Sequence, residues 1–347
     1  MQAMNPTVAS LLRIASTFLA TSVVVLTGLW GALALWYQLP GGQITKALGI
    51  LVWSTFAVAV LIGLWHGRAP LGLTAFALVF AGLLLWWTQL KPSNDEVWAD
   101  DVAQMTTGTV NRNTVTLHNV RNFDWRSQTD YTQRWETRSY DLDHLRSVDM
   151  IMSYWSMRAI AHMLISFGFD DGSYVVFSVE IRRQKTQKFS EIGGFFKEFE
   201  LSIVAADERD VIRVRTNIRG EDDYLYQLRM PVAAMRSLFL AYVDEANELA
   251  NHPRFYNTVT VNCTTLVYQM MNRIVGHLPL DYRLLLSGYL PEYVYGVGGL
   301  NPHYPLSELT ARGRITLRAQ QADRNPNFSS AIREGLPGVE APPTSIQ

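Results

Sequence analysis

The stretch Ala161-His162-Met163-Leu164-Ile165-Ser166-Phe167-Gly168-Phe169-Asp170-Asp171-Gly172-Ser173-Tyr174-Val175-Val176-Phe177-Ser178-Val179-Glu180-Ile181-Arg182 decides how this chain folds. Two runs rich in Val, Ile and Phe flank Asp170-Asp171-Gly172, and such a turn between apolar runs predicts an antiparallel hairpin. Loop length sets the register, and a slip of one residue would send every side chain to the opposite face. With a three-residue loop ending in Gly172, Phe169 pairs with Ser173 and His162 falls opposite Glu180. One face then carries His162, Ser166, Ser178 and Glu180 among smaller apolar residues. The other carries Met163, Ile165, Phe167, Phe169, Val175, Phe177 and Val179. A two-residue loop would mix these sets, so patterning favours the three-residue register.

Working outward, Val115–Val120 alternates as a strand does and leads into a polar, aromatic stretch over 122–140. Further strands are expected at 199–204, 211–216 and 224–228. Pro231 opens an amphipathic helix with Val232, Met235, Phe239, Tyr242, Ala246 and Leu249 on one face, and Pro253 stands beyond its end. Leu266, Val267, Met270, Met271, Ile274 and Val275 recur at three- and four-residue spacing, so a second helix starts at or just before Cys263. After Gly288 the chain reads as loop-rich, holding Gly296-Val297-Gly298-Gly299 and a short helix near 330–333. The Pro-rich tail, 339–347, has the composition of a disordered segment. Residues 92–338 thus read as one α+β domain with an antiparallel sheet, at about 240 residues large enough for its own core.

Residues 1–91 are different in kind. Three uncharged apolar stretches, Ile14–Trp36, Ala47–Trp65 and Leu71–Leu90, each have about the 20 residues that cross a hydrocarbon core as a helix. Trp30, Trp36, Trp65, Trp86 and Trp87 cluster near their ends, where interfacial anchors sit. A cleaved signal peptide is excluded for the first stretch by its length and by the two spans that follow. Arg13 and Arg68 fall on one side of such an arrangement and Lys46 and Lys91 on the other, so the charge rule decides little. An odd number of spans places the rest of the chain opposite the N-terminus, here read as the extracytoplasmic side. The net charge of −1 over 347 residues gives no electrostatic footprint for nucleic acid.

Cys263 is the single cysteine, so it has no partner for an internal disulfide, and in an oxidising compartment an odd cysteine suggests a working thiol. In the first turn of a helix, unpaired N–H groups and the macrodipole favour the thiolate. An inert core cysteine is the alternative. A thiol nucleophile needs a base held by a third polar group. His162 is the candidate base, with Glu180 across the hairpin to orient it. Against this stand a structural histidine and a surface carboxylate paired with Arg182 or Arg183. His118, His144, His252, His277 and His303 read as structural or surface residues. Asn262 either caps the helix or points its amide at an oxyanion. Arg182, Arg183, Lys185 and Lys188, like Arg209, Arg213, Arg215 and Arg219, form either a solvated face or a contact with lipid phosphates. No His, Cys or carboxylate spacing matches a metal site, no phosphate-loop or dinucleotide pattern occurs, and no cofactor is expected.

Five segments together resemble the Lnb N-terminal periplasmic domain family, named for a bacterial lipoprotein N-acyltransferase. They are Val120–Asp124, Ile160-Ala161-His162, Ser166–Phe169, Ser178-Val179-Glu180-Ile181-Arg182 and Asn262-Cys263-Thr264-Thr265. Ile181 departs from the small residue, often Ala or Thr, that follows the glutamate in the family. The resemblance implies a thiol site in which Cys263 is the nucleophile and His162 the base, with Glu180 in the Ser-x-Glu motif. The His-before-Cys order is also similar to permuted relatives of papain-like peptidases and acyltransferases, which implies a fold of that kind. The expected activity is acyl transfer from a membrane phospholipid to an amine such as a lipoprotein N-terminus, through a Cys263 thioester. The alternatives are a thiol peptidase or amidase acting on peptidoglycan or protein, and a non-catalytic membrane scaffold.

Overall fold

The structure, a computed structural model, describes residues 6–67 and 69–338 and divides into two compact units. Arg68 and the tail 339–347 lie outside the described residues.

The first unit holds the described residues up to Pro92 together with Ser190–Glu198. Its helices are α1 (Pro6–Gln38), α2 (Gln43–Trp65) and α3 (Ala69–Gln89), and each contains a segment long and apolar enough to cross a membrane. Exposed Leu11, Leu26, Leu51, Val52, Leu71, Leu78 and Leu85 coat their outer surfaces, as expected of side chains that meet lipid. Inside, Val24, Trp53, Ala57, Val60 and Phe76 pack together. Trp53 Nε1 donates to the Gly28 carbonyl at 2.7 Å, and a side chain at Gly31 would collide with the Trp53 ring. That glycine lets α1 and α2 approach closely.

The second unit is a mixed α+β domain. Its strands are β1 (Thr107–Asn111), β2 (Thr114–Arg121), β3 (Asp124–Trp125), β4 (Tyr131–Thr132), β5 (Trp135–Asp141), β6 (Leu145–Tyr154), β7 (His162–Phe169), β8 (Tyr174–Arg182), β9 (Glu200–Ala206) and β10 (Asp222–Gln227). Eight of them form one sheet in the order β1-β2-β9-β8-β7-β6-β10, with β5 paired to β2, while β3 and β4 form a separate ribbon. The sheet is mixed where an antiparallel one was expected, because β2 runs parallel to β9 at Arg121↔Ala206. The β7–β8 register is the one the turn predicts: Gly168 pairs with Tyr174, Leu164 with Ser178, and the Phe169 N–H donates to Ser173 O at 3.0 Å.

Helices cover both faces. On one, α5 (Val232–Asn251), α6 (Thr265–Val275), α7 (Leu290–Gly296) and α8 (Leu306–Gly313) pack on Met150, Met163, Ile165, Phe167 and Phe177. On the other, α4 (Glu208–Arg213), α9 (Thr316–Gln321) and α10 (Phe328–Ala331) cover Ile151, Leu164, Val176 and Val204. The polar face of the hairpin is therefore interior too, and its serines are buried.

Three expectations change. Val211–Thr216 is helical, running from α4 into a π-helical turn over Val214–Arg219. Asp207 caps it by accepting from the Arg209 N–H, and this capping outweighs the β-branched residues that suggested a strand. The region after Gly288 is not mainly loop, since it supplies α7 to α10. Central strand β6 carries no turn signal or clean alternation, because helices bury both its faces.

Candidate active site

Cys263 is delivered by a tightly held loop. Tyr256 N–H donates to Phe199 O at 2.9 Å and Leu201 N–H to Arg254 O at 2.7 Å, so the approach segment follows the start of β9. Asn257 and Val261 then exchange backbone hydrogen bonds at 3.0 and 3.1 Å to close a turn. Asn262 Oδ1 accepts from the N–H groups of Thr264 and Thr265, both at 2.9 Å, while its own N–H donates to Thr265 Oγ1 at 2.9 Å. This reciprocal arrangement has the pattern of a capping box, and it holds Cys263 in the turn immediately before α6. The Asn262 side-chain amide donates to Thr258 O at 2.7 Å, while its oxygen takes the capping role.

His162 stands at the start of β7. Ahead of it, Ala161 N–H donates to Ser287 Oγ at 3.0 Å and Ser287 Oγ donates to Ala161 O at 2.7 Å. Gly288 N–H donates to Ala159 O at 2.9 Å, at an approach so close that a Cβ at Gly288 would strike the Arg158 carbonyl. The imidazole Nε2 lies 2.8 Å from Ser178 Oγ and 3.2 Å from Glu180 Oε1. Ser178 Oγ donates to Glu180 Oε1 at 2.6 Å. The ring and the Cys263 thiol are close enough for each to shift the other's titration. Nε2 is committed to Ser178 and Glu180.

The electrostatics follow from this placement. Burial pulls the His162 pKa down, but the Glu180 carboxylate and the Cys263 thiol outweigh it and push the imidazole up to about 9. Burial raises the Glu180 carboxyl, and His162 and Arg215 nevertheless hold it well below the usual carboxylate range. Burial likewise raises the Cys263 thiol, while His162 and the Met163 backbone N–H lower it more, for a net drop. Each partner thus shifts the other towards the thiolate and imidazolium forms.

Behind Glu180 lies a cluster the sequence reading did not assemble. Arg215, buried in the π-helical turn, donates to Glu180 Oε1 at 3.3 Å and Glu221 Oε2 at 2.9 Å. Ser153 Oγ sits 2.5 Å from both Glu221 Oε2 and Asp223 Oδ1. One hydroxyl has one proton to give, so a proton on Asp223 is needed to complete both bonds. Burial pushes the Asp223 carboxyl up to about 7, which supplies it. Arg215 was hidden because its segment read as a strand; the visible signal was only its place in a basic run.

Other candidates are spent elsewhere. Arg182 is buried, donating to Val102 O, Ala103 O and Asn94 Oδ1 with its guanidinium 4.4 Å from the Trp98 ring centroid. Arg183 pairs with Asp101 at 2.9 Å. His118 lies beside Thr137, His144 beside Asp170 and His252 beside Glu248, while His277 and His303 are exposed. Arg121 is an anchor: it and the Phe123 and Trp125 N–H groups saturate buried Asp210. No group of three or more His, Cys, Asp or Glu fit to hold a metal occurs among the described residues.

On the α5–α6 face is a largely apolar cavity of about 460 Å³, lined by Met150, Met163, Leu238, Thr264, Val267 and Met271 among others. Thr264 and Met163 directly follow Cys263 and His162 in the chain. An open groove lies beside the same helix start, with Val259, Thr260, Thr265, Tyr268 and Tyr282 on its walls.

Residues 131–288 match the family model of the Lnb N-terminal periplasmic domain, a span that takes in His162, Ser178, Glu180, Arg215 and Cys263 and leaves Val120–Asp124 outside. No curated protein and no solved structure matches the chain, and no papain-like fold is identified.

Proposed function

We propose, from the premise that residues 131–288 are a Lnb N-terminal periplasmic domain, that the protein is a membrane-anchored cysteine acyltransferase acting at the outer face of the inner membrane. The observation that carries the reading is the apolar cavity lined in part by Met163 and Thr264, the residues that follow His162 and Cys263 in the chain; its volume is within the roughly 300–1,000 Å³ range of small-molecule sites. A largely apolar cavity of this size suits an acyl chain. The three apolar helices tether the domain to a membrane in which such a substrate resides.

In this reading the Cys263 thiolate attacks the ester carbonyl carbon of a phospholipid, and the carbonyl electron pair becomes an oxyanion. The Cys263 backbone N–H, at a helix start, is suited to receive that charge. Collapse breaks the C–O bond as imidazolium His162 protonates the departing lysophospholipid alkoxide. Neutral His162 then takes the proton of an amine attacking the thioester, the thiolate leaves, and the ion pair is restored. Glu180 keeps the ring oriented through both steps. The amine, for instance a lipoprotein N-terminus, approaches along the groove at Thr260, Thr265 and Tyr282; with water in its place the site is a lipid hydrolase.

The test incubates purified full-length protein in lipid with labelled phospholipid, with Cys263→Ala as control. Intact mass should show one acyl adduct, labile to hydroxylamine, in the wild type alone. The absence of an adduct, with peptide-amide cleavage dependent on Cys263, would replace this reading by a thiol amidase.

A further inference from the structure

Residues 183–199 connect β8 to β9, and their middle, Ser190–Glu198, belongs to the helical unit. Hydrogen bonds close it into a compact turn. Gly193 N–H donates to Ser190 Oγ at 2.9 Å, and the N–H groups of Phe196 and Glu198 donate to Gly193 O at 2.9 and 3.2 Å.

The turn is fastened to the C-terminal ends of α1 and α3. Gln38 Nε2 donates to the carbonyls of Phe196 and Lys197 at 2.8 and 2.7 Å, Tyr37 and Ser190 share a hydrogen bond at 3.1 Å, and Lys197 Nζ donates to Trp87 O at 2.8 Å. The buried Phe196 ring stacks on Tyr37 at 5.6 Å and reaches Trp30 and Trp87 at 6.3 and 6.2 Å. Short connections make neighbouring helices antiparallel, so α1 and α3 end on the same side of the membrane they cross. Trp and Tyr at span ends mark the boundary between headgroups and acyl chains. The turn is pinned to such an aromatic cluster and sits at that level.

Two of its apolar residues, unlike Phe196, are not buried by the protein. Ile192 is 53 % exposed and Phe195 46 %, with Phe189 just before the turn at 57 %. Held at the boundary, such side chains gain by entering lipid. We infer that Ser190–Phe196 is an interfacial anchor, inserting Ile192 and Phe195 into the leaflet at which α1 and α3 end. The β8–β9 connection is then a membrane contact additional to the spans.

The test uses the full chain with Cys263→Ala, which removes the only native thiol. Ile192→Cys and Phe195→Cys are each labelled with an environment-sensitive fluorophore and placed in phosphatidylcholine nanodiscs, with Leu51→Cys, on the outer face of α2, as the lipid-exposed reference. The inference predicts blue-shifted emission, protected from aqueous iodide and quenched by nitroxide lipid as at Leu51. Iodide access without nitroxide quenching overturns it, and so does protection from both quenchers, which would mean cover by protein. The readout does not depend on thiol chemistry, so its failure leaves the acyltransferase reading standing.

Discussion

Strand β7 carries two buried ionic clusters on one face of the sheet, and they differ in what they leave available. At its start, His162 meets Ser178, Glu180 and Arg215. Further along, Ser166 donates to Glu208 at 2.6 Å, and Arg333 bridges Glu208 and Asp149 at 2.6 and 2.7 Å with its guanidinium 3.8 Å from the Tyr174 ring centroid. In the second cluster the charges satisfy one another and touch no nucleophile. In the first, Glu180 and Arg215 hold an imidazole that shifts the titration of the Cys263 thiol. Buried charge by itself is therefore no mark of a site; a nucleophile and an adjoining cavity are.

The largest effects should separate the two clusters. Cys263→Ala should abolish acyl-enzyme formation, and His162→Ala should lower kcat by about 10²–10⁴-fold, with circular dichroism and Tm close to wild type. Equal loss of folding would erase the distinction. Arg333→Ala should act the other way. It strands two buried carboxylates, so denaturant unfolding should show a loss of about 3–5 kcal/mol, while the pH profile of any surviving activity stays unchanged.

Glu180→Gln sharpens the comparison within the first cluster. The carboxylate is what lifts His162 against burial, so without it the imidazole pKa should fall from about 9. The alkaline limb of activity should move to lower pH, with kcat reduced and KM for lipid nearly constant. The same change removes a stabilising ion pair. His162, raised on folding, adds stability fully present below its unfolded pKa and lost as pH rises towards 9. Glu180, depressed on folding, adds stability present above its unfolded pKa and lost as pH falls through the folded one. The wild type should therefore outlast the variant most between those limits, as a Tm series across pH would record.

The smallest effect concerns Asp223. Its folded pKa near 7 lies above the unfolded carboxylate value, so its ionisation costs stability increasingly as pH rises between the two. Asp223→Asn should gain on the wild type from pH 5 to pH 8, by on the order of a few kcal/mol at most. A gap independent of pH would remove the proton assigned to the Ser153–Asp223 contact.

How much of this was legible follows from where the signals are local. The Asp170-Asp171-Gly172 turn fixes the β7–β8 register, and with it the approach of His162 to Glu180, because period-two alternation permits no other face. The helical repeat after Leu266 places Cys263 at a helix start. Arg215 and Asp223 were not legible, since their position depends on the π-helical turn and on β10 pairing with β6 past the intervening β7, β8, β9 and α4. Strand β6 was missed because a strand buried on both faces loses its alternation, and Ser153 lies on it. Arg182 looked like a surface cation, but the Trp98 ring and backbone carbonyls that enclose it come from far earlier in the chain.

The central claim is that Cys263 works as a thiolate held by His162, and the pH dependence of its alkylation tests this most directly. The only cysteine reports without interference, so the rate of iodoacetamide labelling in lipid can be followed from pH 5 to pH 10 by intact mass. The wild type should label as a thiolate well below the usual range of a free thiol, near pH 8.5, and His162→Ala should move the midpoint upward. A wild-type midpoint at or above that range, unchanged by His162→Ala, would contradict the account.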